Sequence, residues 1–187
     1  PRLDISSSYD SSNKSYTLNV KQWCPATAEC EEKKPFHLPL SLGLLDKSGN
    51  DLQVNLASGT DFNGYLEITK AKESFVFTGL EEEPIPSLLR GFSAPVIVNY
   101  EYSDSDLAFL LANDNDDFNR YEAGQRLAMI QLEKLISQVK ASESLQVDRS
   151  VLGAFKALLE DKNIDDAFKA EAITLPTVTT LVENMDV

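Results

Sequence analysis

One histidine, two cysteines and a few acidic runs are the residues of this chain with reactive or metal-binding chemistry. His37 stands alone, which excludes a zinc site of the H-E-x-x-H kind within the chain, because that site needs two histidines one helical turn apart. A Ser-His-Asp relay through His37 would need a nucleophile elbow, and no G-x-S-x-G is present. His37 falls on the polar side of an alternating stretch beside Pro39 and Ser41, where a solvent-facing strand histidine is expected. Cys24, Cys30 and His37 make a C-x5-C-x6-H spacing, short of the four ligands and tighter cysteine pair of structural zinc. Two reduced loop thiols are the favoured reading of Cys24 and Cys30, and a disulfide across the loop is the alternative.

The acidic run Asn113-Asp-Asn-Asp-Asp117 has the flavour of a calcium loop. Aligned on Asn113 it places Phe118 where glycine is required and Gly124 where the bidentate glutamate belongs; aligned on Asp114 it offers Asn119 and Gln125. A turn followed by a helix N-cap, favoured by the helix dipole, accounts for these acids without an ion. Glu81-Glu82-Glu83 reads as a solvated loop, and the glycines form neither G-x-G-x-x-G nor a P-loop. No catalytic, cofactor or metal residue is therefore assigned in this chain.

The elements around these residues change character near residue 102. Up to Tyr102 apolar residues alternate; from Ser103 onward their spacing becomes three and four. Residues 3–9 and 15–23 read as strands around a turn at 10–14. Phe36, Leu38, Leu40, Leu42 and Leu44 alternate with His37, Pro39, Ser41 and Gly43, the pattern of a half-buried strand. Pro39 cannot donate to a ladder, so an edge position or a bulge is expected. Residues 46–50 read as a hairpin turn. Shorter strands follow at 52–54, 65–68, 74–78 and 96–102, and such a series suggests an immunoglobulin-like sandwich. Ile85, Leu88, Leu89 and Phe92 form an apolar cluster expected to pack between the two modules.

In the second half, Asp104 or Ser105 is expected to cap a short helix ending near Ala112. Asp116 or Asp117 should cap a longer one to about Val139, burying Phe118, Tyr121, Gln125, Ala128, Leu132, Leu135 and Val139. A third helix from Asp148 should bury Val151, Leu152, Phe155, Leu158 and Leu159. Two shorter helices, 167–173 and 177–183, flank Leu175-Pro176. The fold class read from this pattern is an all-β immunoglobulin-like sandwich (1–102) followed by an all-α partial helical solenoid (103–187). The array is expected to break off at Val187 and to leave Leu175, Val178, Leu181 and Val182 uncovered.

The formal net charge is −13 over 187 residues. Residues 1–102 carry 9 Lys/Arg against 14 Asp/Glu, and residues 103–187 carry 8 against 16, so neither half offers a basic stripe. Nucleic acid and anionic membrane are poor partners for such a chain. No membrane-length apolar run and no signal segment is visible, which points to the cytoplasm.

Several segments resemble, in order, the C-terminal part of bacterial aminopeptidase N, the alanyl aminopeptidases of the gluzincin class. They are Pro25-Ala-Thr, Glu32-Lys-Lys-Pro-Phe-His-Leu-Pro39, Leu44-Leu-Asp-Lys-Ser-Gly49, Pro84-Ile-Pro-Ser-Leu-Leu-Arg90, Phe92-Ser-Ala-Pro-Val96, Asn115-Asp-Asp-Phe-Asn-Arg-Tyr-Glu-Ala123 and Leu175-Pro176. The resemblance implies a β-sandwich and the first helices of a helical bowl, linking an upstream zinc domain to a roof over its active site. The zinc histidines, catalytic glutamate and G-A-M-E-N motif of that family match no position of this sequence. It further implies that the parent removes N-terminal residues from peptides with zinc. The partners of this chain would then be the upstream catalytic and downstream helical parts of the same polypeptide. A stand-alone β-sandwich that captures a protein partner along an exposed edge is the alternative.

Overall fold

The structure is a computed structural model that describes residues 1–28, 30, 31 and 33–183. The chain divides into two units, 1–101 and 102–187. The first is built on the long antiparallel hairpin of β1 (Arg2–Asp10) and β2 (Ser15–Trp23), paired without interruption from Arg2↔Trp23 to Asp10↔Ser15. Its turn is closed by the Asp10 carboxylate, whose Oδ1 accepts from the Ser12 and Asn13 amides at 2.9 and 3.1 Å. Alternation sends Leu3 and Ile5 of β1, with Tyr16, Leu18 and Val20 of β2, into the core.

The remaining strands are β3 (Leu38–Leu45), β4 (Asn55–Leu56), β5 (Tyr65–Ile68), β6 (Lys72–Thr78), β7 (Ile85–Leu88) and β8 (Ile97–Asn99). They form a five-stranded sheet, β4-β6-β2-β1-β8, facing a three-stranded sheet, β5-β3-β7. β8 runs parallel to β1; every other pairing is antiparallel. The inner faces enclose one core that includes Leu40, Leu42, Ile68, Phe77, Leu88 and Leu89, with Phe62 edge-on to Phe77 at 5.1 Å. Leu88 and Leu89 thus belong to the sandwich's own interior, a use of the 85–92 cluster different from the expected one.

Three expectations for this half need correction. β3 is the central strand of its sheet, not an edge. Pro39 is tolerated because β7 pairs only with residues 42–45; beside Pro39 and Ser41 the Ser93 hydroxyl substitutes, donating to Pro39 O and accepting from Ser41 N. Phe36 is not on the buried face. The side chain of buried Gln22 grips its backbone, Nε2 to Phe36 O and Phe36 N to Oε1 at 2.9 Å each, so the pleat starts two residues later. Residues 52–54 are not a strand; the ladder there is the two-residue β4, while Leu52 N donates to Leu44 O.

The second unit holds α1 (Asp104–Asn113), α2 (Asp117–Lys140), α3 (Arg149–Glu160), α4 (Asp166–Ala172) and α5 (Val178–Glu183). α1 is capped by Ser103 rather than Asp104 or Ser105, in a reciprocal box with Asp106. Asp116 caps α2 and Asp148 caps α3. α1 packs on α2 and α3, and α4 packs on α2. Gly124 permits the closest approach: a Cβ there would stand 3.1 Å from Leu111 Cδ1 and 3.7 Å from Ala172 O.

The buried faces of α2 and α3 differ from those expected. α2 buries Asn119, Arg120, Ala123, Gly124, Leu127, Ala128 and Gln131, a stripe rotated from the apolar one; Phe118, Tyr121, Gln125, Leu132 and Leu135 are only half-buried and Val139 is exposed. The polar members are buried because the chain gives them partners. Arg120 donates to the Leu111 and Ala112 carbonyls at the end of α1, and Gln131 bridges Gln146 O and Asp148 N ahead of α3. α3 buries Val151, Ala154 and Leu158, whereas Leu152 and Leu159 are 56% and 49% exposed and Phe155 is half-buried. Leu175, Val178 and Val182 are exposed and Leu181 half-buried; Val187 lies outside the described residues.

Candidate functional site

The most constrained polar arrangement of the sandwich sits on the outer side of β3. Leu89, Gly91 and Phe92 all adopt left-handed backbone, with φ of 60°, 57° and 51°. For leucine and phenylalanine that conformation costs on the order of 1–3 kcal/mol each and persists only where the surroundings enforce it. Arg90 supplies the enforcement. Its guanidinium makes a two-pronged ion pair with Asp51, NH1 to Oδ2 at 3.1 Å and NH2 to Oδ1 at 2.9 Å, while Nε donates to Ser87 Oγ at 2.8 Å. The same group lies flat on Gly43, where a Cβ would fall 2.3 Å from Arg90 Cζ. The turn therefore presents the exposed Phe92 ring beside a clasp whose own side chain is only 16% exposed.

A second cluster lies on the outer face of the five-stranded sheet. Asp4 is its hub: Oδ1 accepts from the Asn99 amide and Oδ2 from the Trp23 indole, both at 2.8 Å, with Lys21 Nζ at 3.7 Å. Register explains the convergence, since Asp4 pairs with Lys21 on one side and Asn99 on the other. The Asn99 hydrogen bond, followed by those of Trp23 and Lys21, holds the Asp4 carboxyl below its usual range against a cost of desolvation. Arg2 completes the group, its guanidinium stacked 5.5 Å from the Trp23 ring. In the helical unit, the Asn163 backbone N–H and then Arg120 likewise hold Asp161 below its usual range.

The residues singled out from sequence do not converge. His37 precedes β3 on the surface and lies 3.4 Å from Glu67 Oε2, both side chains largely exposed. Cys24 accepts from Lys33 Nζ at 3.7 Å, while Cys30 exchanges two backbone hydrogen bonds with Thr27; neither cysteine is in a disulfide. Of the acidic run, Asp116 accepts from Asn119 N as the α2 cap, and buried Asp114 closes α1 and accepts from Asp116 N. Glu81 and Glu82 pair with Lys14 and Lys47 on the surface. Among the described residues, no three His, Cys, Asp or Glu side chains are placed to hold a metal ion. The Asp51–Arg90–Gly43 clasp and the Asp4 hub were not anticipated. A glycine within a leucine-rich strand was the one available signal for the first, since such a glycine often marks close approach of another group.

The fold is thus a two-sheet sandwich followed by packed helices, and the polar clusters described above hold its turns and strands. The comparisons give it a family. Residues 1–101 match the family described as a domain of unknown function (DUF3458) with an Ig-like fold, and residues 104–187 match DUF3458_C, described as ARM repeats. The chain belongs to this family. It is similar to aminopeptidase N of Escherichia coli (strain K12), 34% identical over 187 residues, covering 100% of this chain and 21% of the relative. Aminopeptidase N of Haemophilus influenzae is 33% identical over 176 residues, covering 94% of this chain and 20% of the relative. A crystal structure of Legionella pneumophila aminopeptidase A in complex with aspartic acid superposes with a TM-score of 0.74 at 31% identity, over 99% of this chain and 19% of that one. The chain spans about a fifth of the length of the curated relatives it matches.

Proposed function

We propose that this chain is the non-catalytic C-terminal part of a zinc-dependent aminopeptidase that removes N-terminal residues from peptides in the cytoplasm. Its role in that enzyme is to join the zinc domain to a helical roof over the active site. The observation that carries the reading is the match to aminopeptidase N along all of this chain but only 21% of the relative. The residues present do not fit a zinc ion: there is one histidine, held at Glu67, and no convergent ligand set among the described residues. Zinc and the groups that act on the peptide are accordingly assigned to the rest of the parent, and the peptide substrates with them. Among the described residues no helix is long and apolar enough to cross a membrane.

Purified chain, dialysed against a weak chelator, should contain no stoichiometric zinc and should not hydrolyse an alanine anilide, while the parent enzyme hydrolyses it. One tightly bound zinc per chain, or turnover by the chain alone, would overturn the reading. In the parent, Arg90→Ala should lower activity without changing zinc content, since the clasp orders the scaffold and touches no metal.

A further inference from the structure

Asn63 is the sole asparagine of the chain followed by glycine. It is exposed, in the connection that leads from β4 into β5. Gly64 has φ of +91°, and nothing lies within 4 Å of the position its Cβ would occupy. Gly64 is tied at its carbonyl, which accepts from Leu42 N at 2.9 Å. Among the described residues its own N–H donates to no partner, and the Asn63 side-chain amide is likewise unengaged. A backbone nitrogen flanked by no side chain, with no hydrogen bond to break, is thus adjacent in sequence to an amide carbon it can attack. Glycine's wide range of backbone angles allows the approach, and exposed asparagines of this kind are the thermolabile ones.

We propose that Asn63–Gly64 is a self-modification site, at which the folded protein converts asparagine to aspartate and isoaspartate without an enzyme. The Gly64 nitrogen, after giving its proton to solvent base, bonds to Asn63 Cγ. The Cγ–Nδ2 bond breaks and the side-chain nitrogen leaves as ammonia, taking its extra proton from solvent and closing a five-membered imide. Water then adds to either imide carbonyl. Opening on one side gives aspartate; opening on the other gives isoaspartate, with the main chain rerouted through the former side chain. Overall, one amide and one water become one carboxylic acid and one ammonia, and nothing is oxidised or reduced.

The place of this residue gives the reaction a consequence. Asn63 lines an open depression together with Asp51 and Arg90. Either product puts a new carboxylate into the depression that Asp51 and Arg90 also line. Isoaspartate also lengthens the backbone next to the Gly64–Leu42 hydrogen bond, pulling on β3.

The test uses the full chain held at mildly alkaline pH, with a parallel sample in urea and the variant Asn63→Gln. Peptide mass mapping follows conversion of amide to acid, and enzymatic methylation counts isoaspartate. The Asn63 peptide should convert in the folded chain at a rate comparable to that in urea, while the other asparagines stay amides and Asn63→Gln carries no methylatable isoaspartate. Retention of the Asn63 amide in the folded chain, with conversion in urea, would overturn the proposal. So would isoaspartate that persists in Asn63→Gln.

Discussion

Gly43 and Arg90 act as one unit, which their substitutions should reveal. A methyl group at residue 43 would occupy the space of the guanidinium, only 2.3 Å from its centre. The arginine end can swing away, but only by leaving Asp51 and Ser87. Loss of these charge-assisted hydrogen bonds should cost about 1–3 kcal/mol. Gly43→Ala and Arg90→Ala should therefore each destabilise by that order, and the double variant by much less than their sum. Additive losses in urea unfolding would show that the two residues do not share one interaction. At the other cluster, Trp23 is the one tryptophan and donates to Asp4, so its fluorescence reports on that carboxylate. A carboxyl held low in the folded state stabilises it above the ordinary aspartate range and loses that effect as pH falls through its lowered value. The Trp23 emission should shift in acid with a midpoint below that of an ordinary aspartate, and Asp4→Asn should abolish the step. A midpoint at or above the ordinary value would contradict the hydrogen-bonded hub.

Elements whose pattern lies in single residues were legible in the sequence, and those whose burial depends on polar partners were not. β2 and β5 sit where alternation placed them, because each has one face on a dry core. β3 was read in the right phase but as the wrong kind of strand: nothing local announces that Ser93 will fill the gap beside Pro39. The α2 stripe was misread for a similar reason. Periodicity counts apolar residues, whereas Arg120 and Gln131 are buried by carbonyls and amides supplied 8–17 residues away in sequence. Gly43 hinted at a close approach to β3, but the sequence could not name the group that approaches, because Asp51 and Arg90 are 39 positions apart. The phase of β3 can be tested directly. Leu40 is fully buried, so Leu40→Ala should cost about 2–5 kcal/mol. His37→Ala, on a largely exposed side chain, should stay within about 0.5 kcal/mol. Comparable losses at both positions in denaturant unfolding would mean the strand does not separate core from solvent as described.

For the chain as a whole, two surface properties oppose each other. A formal charge of −13 keeps copies apart. Against this, the helical unit exposes large apolar side chains: Leu152 and Leu159, seven apart on one face of α3, then Ile173, Leu175, Val178 and Val182 around α4 and α5. Val178 is 77% exposed. Scattered exposed leucines need no explanation, but a run of them in one segment marks a surface that is covered in its working context. Under the proposed function, that cover is further helices of the parent. In the isolated chain another copy can supply that cover, and charge repulsion is what resists it. Repulsion between surfaces more than a Debye length apart, about 10 Å at 0.1 M salt, is screened as ionic strength rises. Light scattering should therefore show weight-average mass rising with protein concentration, and rising further with added salt. Val178→Asp combined with Leu152→Asp should restore monomers at every salt concentration and reduce binding of a hydrophobic dye. If the unaltered chain stays monomeric in high salt and binds no dye, these side chains do not form a patch, and the helical unit needs nothing to cover it.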